Sequence, residues 1–287
     1  MMRLTILYSM VLMSWVAMAQ PGTEIFLFDL KVKNDELFLT NGRNITNRKG
    51  YDNQPHFHPE EALLYYVSAD STGQTDIYFY NYVSGNTTRL TKTRDREYSP
   101  TVTPNKKFIS CIIQRESGAQ DFGKYPIKGG NELMLVNNLT VGYHTWMNDE
   151  TLALFVLGEP PTLRLFDIAK QTDSTIAKDI GRSLHRIPKK SAISFVQKSG
   201  NEWLINQVDE KTKNISTVVS SLPNREDLAW TPDGLIIMSD GKKLFFINPL
   251  NNKGWREIKV QSTFSLKAIS RISINAKGDL ISLVAEE

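Results

Sequence analysis

The sequence predicts an all-β protein: a six-bladed β-propeller with one blade shared between the N- and C-terminal strands. Three observations carry this. Apolar anchors recur at Phe57, Val102, Trp146, Ile187, Trp230 and Ile274, spaced 45, 44, 41, 43 and 44 residues apart. A period of roughly 40–50 residues built from short strands marks a propeller, one four-stranded blade per repeat. Between the anchors, short apolar and β-branched runs alternate with Gly, Asn, Asp and Ser turns, and no long window follows the helical period. Finally, each end of the chain carries half a blade.

The elements follow in order. Residues 24–30 and 36–45 read as the third and fourth strands of a blade whose first two strands must come from the other end. The first full repeat opens on Gln54-Pro55-His56-Phe57-His58-Pro59. Residues 63–68 form its buried second strand, 76–81 its alternating third, and 87–91 its polar outer strand. Ser99-Pro100-Thr101-Val102-Thr103-Pro104 opens the second, followed by strands at 108–114 and 132–136. The third takes Tyr143-His144-Thr145-Trp146, then 151–157, 162–167 and 173–177. The fourth takes Leu184-His185-Arg186-Ile187, then 192–197, 202–207 and 215–219. Leu228-Ala229-Trp230-Thr231-Pro232-Asp233-Gly234 opens the fifth, followed by 235–239, 243–248 and 255–260. After Ile274 one strand remains, at 279–285, and it completes the shared blade. Closing the ring this way removes the open sheet edges.

Residues 1–19 read as a signal peptide: Arg3, an apolar run from Leu4 to Val16, then Ala17-Met18-Ala19. Residues 20–287 are then a single propeller domain, about 45 residues to a blade. No transmembrane segment is expected after signal cleavage, and no cysteine follows the leader to take a lipid. The expected location is periplasmic or secreted. Cys111 is the only cysteine, so no internal disulfide is expected, and its apolar strand makes it a buried small hydrophobe. A net charge of +3 argues against nucleic acid as a partner. Asn44, Asn86, Asn138 and Asn214 each begin an N-x-Ser/Thr tripeptide.

The run Asp52-Asn53-Gln54-Pro55-His56-Phe57, with Gly73-Gln74-Thr75-Asp76-Ile77-Tyr78 and Thr88-Arg89-Leu90-Thr91, resembles the propeller repeat of the TolB family. The turn Trp230-Thr231-Pro232-Asp233-Gly234 is similar to that family's first-to-second-strand turn. The resemblance implies a periplasmic propeller that docks protein partners near its central channel. Two differences qualify it: TolB carries an extra N-terminal α/β domain, whereas here Thr23 already adjoins the first strand. Similar propellers gate the prolyl oligopeptidases, but no hydrolase segment is read in this chain.

The search for chemistry is short. Gly181-Arg182-Ser183-Leu184-His185 lacks the second glycine of a nucleophile elbow and joins no strand to a helix. Counting from the anchors, His144 and His185 occupy equivalent positions on adjacent blades, whereas His56 falls on the other parity. Packed histidines are the expected state. The alternative is a metal held by His144 and His185 in a carbohydrate lyase or hydrolase, resembling oligogalacturonate lyases that hold a metal with histidines near the axis. No cofactor is expected. The loops that lead into each first strand share one face and are rich in Tyr, Arg and His. The expected binding residues there are Tyr51, Asp52, Arg96, Tyr98, Tyr143, His144, His185, Arg225 and Arg271. The function expected is a monomeric, non-catalytic binding module for a protein or glycan of the cell envelope.

Overall fold

The computed structural model describes residues 22–200, 202–251 and 253–286, and these form one closed six-bladed propeller with no helix. The expected leader falls outside the described residues. Blade one comprises β3 (Asp52–Phe57), β4 (Leu63–Ala69), β5 (Thr75–Asn81) and β6 (Thr87–Arg89). Blade two comprises β7 (Arg96–Val102), β8 (Phe108–Gln114), β9 (Gln120–Pro126) and β10 (Leu133–Val136). Blade three comprises β11 (Val141–Trp146), β12 (Thr151–Val156), β13 (Thr162–Asp167) and β14 (Thr172–Lys178). Blade four comprises β15 (His185–Arg186), β16 (Ala192–Ser199), β17 (Glu202–Asp209) and β18 (Ile215–Ser220). Blade five comprises β19 (Leu228–Trp230), β20 (Ile236–Ser239), β21 (Leu244–Ile247) and β22 (Arg256–Glu257). Blade six joins β24 (Ile272–Ile274) and β25 (Leu280–Ala285) to β1 (Glu24–Lys33) and β2 (Glu36–Asn44).

The seam of the ring is the antiparallel ladder of β1 on β25, from Glu24↔Ala285 to Asp29↔Leu280. A strap reinforces it. The segment expected as one outer strand at 255–260 divides at the buried Ile258. Its second part, β23 (Lys259–Val260), leaves blade five and pairs in parallel with Phe38 and Leu39 of β2. The outer edge of the shared blade is therefore covered by its neighbour.

Six apolar clusters fill the six spaces between blades, because each inner strand alternates and each second strand is apolar on both faces. Cys111 lies in the cluster between blades one and two, where burial pushes its thiol well up. Blades two, four and six carry Ser110, Ser194 and Ser282 at the same place on their second strands. Trp146 Nε1 donates to Ser110 Oγ at 2.9 Å, and Trp230 Nε1 donates to Ser194 Oγ at 2.8 Å. Blade one has Phe57 where blades three and five have tryptophan, and the buried Ser282 hydroxyl has no partner among the described residues. The ring thus repeats every second blade as well as every blade.

Two further features differ from the sequence reading. The third strand of blade two is β9, an element absent from that reading. Its Gly123 replaces a side chain because a Cβ there would meet Ile113 Cδ1 at 2.9 Å and Leu133 O at 3.2 Å. The anchor of blade four is Arg186, not Ile187. Arg186 pairs with Ile193 as Trp146 pairs with Leu152 and Phe57 with Leu64. A one-residue shift moves every side chain to the other face of a strand.

Candidate functional site

In an antiparallel four-stranded blade, the lead-in loops and the second-to-third-strand turns share one face. The first-to-second-strand turns lie on the opposite face, and the first strands line the axis between the two. A cavity of about 570 Å3 occupies this axis, walled by first strands of all six blades.

Its floor lies at the lead-in end. Blades four to six place Arg182, Asp227 and Arg271 there, and blades one to three place Tyr51, Tyr98 and Tyr143. Asp227 accepts from Arg182 Nη2 at 2.7 Å and from Arg271 Nη1 at 2.7 Å. Burial raises its carboxyl, but Arg271 and Arg182 outweigh that and hold it below the usual carboxylate range. Arg271 Nη2 donates to Tyr143 Oη at 2.7 Å, and its guanidinium lies 5.2 Å from the Tyr143 ring centroid. Blades three and six face each other across the ring, so this hydrogen bond crosses the axis and closes the channel. Burial, with Tyr143 adding to it, raises the Tyr51 phenol against the pull of Arg271.

Above the floor is a polar waist. His56, Thr101, Thr145, His185 and Ser273 occupy one register position on five blades, and Ala229 takes it on the sixth. His56 and His185 belong to opposite blades and face each other. Burial keeps both imidazoles neutral, pulling each down to about 4; for His56 the charge of His185 adds to this. The pairing of His144 with His185 is therefore corrected. His144 sits one residue earlier, with its Nε2 2.8 Å from Ser110 Oγ and its ring 4.4 Å from Phe122, between blades two and three. Burial pulls it down to about 3. His56 reaches the axis because β3 carries a bulge. The register slips between Asn53 and His56, with Gln54 at φ 57° before Pro55. Blade two repeats the device, with Ser99 at φ 54° before Pro100, and Gln54 Oε1 accepts from Ser99 N at 2.7 Å.

The collar above the waist consists of Phe57, Val102, Trp146, Trp230 and Ile274, interrupted by Arg186. Pro59, Pro104, Pro188 and Ala276 form the lip. Around it, turns of even blades carry Lys106, Lys107, Lys189, Lys190 and Lys277, and turns of odd blades carry Glu60, Glu61, Asp149, Glu150 and Asp233. Lys106 pairs with Glu60, and Lys189 with Asp233 at 3.4 Å.

The nine residues expected on the lead-in face are placed differently from one another. Tyr51, Tyr98, Tyr143 and Arg271 converge on the floor, whereas His185 lies inside the cavity. Asp52 is fully buried and bound by Arg48 at 2.9 Å. Arg96 and Arg225 are exposed, and Arg225 donates to the Asp240 carbonyl. The sequence reading missed Arg182, Asp227 and His56, three residues central to the site. Among the described residues no group of three His, Cys, Asp or Glu side chains could hold a metal ion. His144 and His185 turn to different faces and do not form a ligand pair. Ser183 Oγ lies 2.9 Å from His185 Nε2 but also accepts from Leu228 N at 3.1 Å, an inter-blade contact that ties it down.

No family model matches the chain, and no curated protein matches it. Solved structures share its fold. One is assigned as TolB from Agrobacterium tumefaciens, with a TM-score of 0.72 and 12% identity, over 92% of this chain and 98% of that one. A chain of the nidogen/laminin complex gives a TM-score of 0.63 at 9% identity, over 83% of this chain and 94% of that one. Oligogalacturonate lyase in complex with manganese gives 0.59 at 15% identity, over 88% of this chain and 83% of that one. The chain has a TolB-like six-bladed propeller fold. Among the described residues no helix is long and apolar enough to cross a membrane.

Proposed function

We propose that the protein is a non-catalytic protein-binding module, periplasmic or secreted, that takes a segment of its partner into the axial funnel. The observation carrying this is the blind funnel itself: walls from six blades, a polar waist, an apolar collar and a floor shut by Tyr143 and Arg271. Its volume falls within the roughly 300–1,000 Å3 typical of ligand pockets. The nidogen/laminin propeller, a member of a protein complex, supports a protein partner. The pair of carboxylates that glycoside hydrolysis uses is missing among the described lining residues, whose one carboxylate, Asp227, is held by two arginines.

Capture from an envelope extract tests the location. Ser273→Trp fills the waist, and Arg96→Glu with Arg225→Glu alters the lead-in face. The expected result is loss of a captured partner with Ser273→Trp and retention with the double variant, both folded by circular dichroism. The reverse pattern would place binding on the lead-in face.

A further inference from the structure

Charge and topology together narrow the kind of segment that fits. A chain can enter the funnel but cannot run through it, because the Arg271–Tyr143 hydrogen bond crosses the axis at the far end. The space suits a chain end or a tight loop tip. The lip does not select by charge, since lysines on even blades alternate with carboxylates on odd blades. Selection falls to the lining. It holds four cations, Lys106, Arg182, Arg186 and Arg271, against the one carboxylate of Asp227.

Three of those cations are already committed. Lys106 pairs with Glu60, and Arg182 and Arg271 share Asp227, with Glu226 also 3.3 Å from Arg182. Arg186 is different. It is exposed, donates to the Met147 carbonyl, and has no carboxylate partner among the described residues. It occupies a position where the other five blades place Phe, Val, Trp, Trp and Ile. At the waist below it, the His56 side chain on the opposite blade makes no hydrogen bond among the described residues, and Thr101, Thr145 and Ser273 offer hydroxyls. A guanidinium with free N–H groups above a ring of neutral donors matches a carboxylate, which Arg binds by paired charge-assisted hydrogen bonds. The same surplus of positive charge disfavours an N-terminal ammonium.

We infer that the funnel captures the C-terminus of a protein partner, with the terminal carboxylate on Arg186 and the last side chains against the Phe57, Trp146 and Trp230 collar. Capture of a terminal carboxylate is a recurrent mode of peptide recognition. This inference rests on the funnel being the protein-binding site.

Fluorescence anisotropy with N-terminally labelled synthetic hexapeptides ending in Ala, Leu or Phe separates the two claims. Each peptide is made as the free acid and as the C-terminal amide. The expected result is binding of free acids, at least tenfold weaker binding of amides, and loss of that difference in Arg186→Gln. Equal binding of acid and amide, abolished by Ser273→Trp, would keep the funnel and overturn the carboxylate. So would an acid preference that persists in Arg186→Gln. Absence of binding by any peptide, or binding unaffected both by Ser273→Trp and by Ala276→Trp at the exposed lip, would overturn the funnel reading and this inference with it. Binding of an oligouronide in the absence of peptide binding would do the same.

Discussion

The two ends of the axial cavity are built from the same six strands and are chemically opposed. At the floor, the polar groups of blades three to six satisfy one another: two arginines share Asp227, and one of them also reaches Tyr143. Toward the mouth, Arg186 at the collar and the His56 side chain at the waist keep hydrogen-bonding capacity that nothing among the described residues uses. Saturation makes a stopper, and unspent capacity makes a binding surface. Substitutions at the floor should therefore read out in stability, and those at the mouth in ligand affinity.

The largest effect is expected at the floor. Asp227→Ala leaves Arg182 and Arg271 partly buried without their shared anion. Breaking a buried ion pair from one side costs about 3 kcal/mol. Urea unfolding at neutral pH measures it, and a loss below about 1 kcal/mol would mean that the arginines find other partners and that the floor is not saturated.

A second buried carboxylate sharpens the contrast because it forms no ion pair among the described residues. Glu97, between blades one and two, accepts from the hydroxyls of Thr91 at 3.0 Å, Thr93 at 2.6 Å and Tyr125 at 3.1 Å. Burial dominates and pushes it up from 4.5 to about 7. The folded state therefore holds the proton more tightly than the unfolded chain. Stability is full below the unfolded value near 4.5 and is lost as pH rises through about 7. The difference amounts to about 3 kcal/mol. Glu97→Gln should remove most of that loss, so unfolding at pH 5 and pH 8.5 should differ far less in the variant than in the wild type. Equal pH dependence in both would assign the titration elsewhere. Asp227 has the opposite sign: its contribution is present above the unfolded carboxylate value and fades as pH falls through its depressed one.

At the collar, a gain is expected. Phe57→Trp supplies the indole that Ser282 lacks and copies the clasps at Trp146 and Trp230. The new hydrogen bond is worth about 1 kcal/mol if the ring fits without overpacking. A fall in melting temperature would show that the space beside Ser282 is too small. The smallest change is expected from Arg186→Gln, which should alter stability by no more than about 0.5 kcal/mol, since the side chain is exposed. A larger loss would make Arg186 a structural residue and remove the contrast with the floor.

Much of the ring could be read in advance because its period depends on residues that any blade needs. Apolar first-strand residues and Gly or Asn turns at a fixed pitch suffice for the blade count and for the half-blades at each end. Strand β9 escaped because Gly123, Lys124 and Pro126 break its apolar pattern. The reason for Gly123 is the approach of Leu133, which only the folded sheet reveals. The site was harder to read. Ile187 has the apolar character of an anchor, but Arg186 holds the position, so the reading of blade four slipped by one residue and paired His185 with the wrong histidine. The bulge that turns His56 inward leaves one local trace, a Pro after Gln54 and again after Ser99. The floor depends on residues 128 positions apart, and no local pattern joins them.

The floor also has a mechanical consequence. A ring assembled without a disulfide behaves as a hoop fastened at one seam, and the seam here lies in blade six, where β1 and β25 meet from opposite ends of the ring. Arg271 belongs to that same blade and bears on Tyr143, diametrically across. The contact is a strut spanning the hoop from its fastening to its far side. It opposes the flattening that would pry the seam open, and it is anchored on the seam itself, since Val284 N of β25 donates to the Arg271 carbonyl at 2.9 Å.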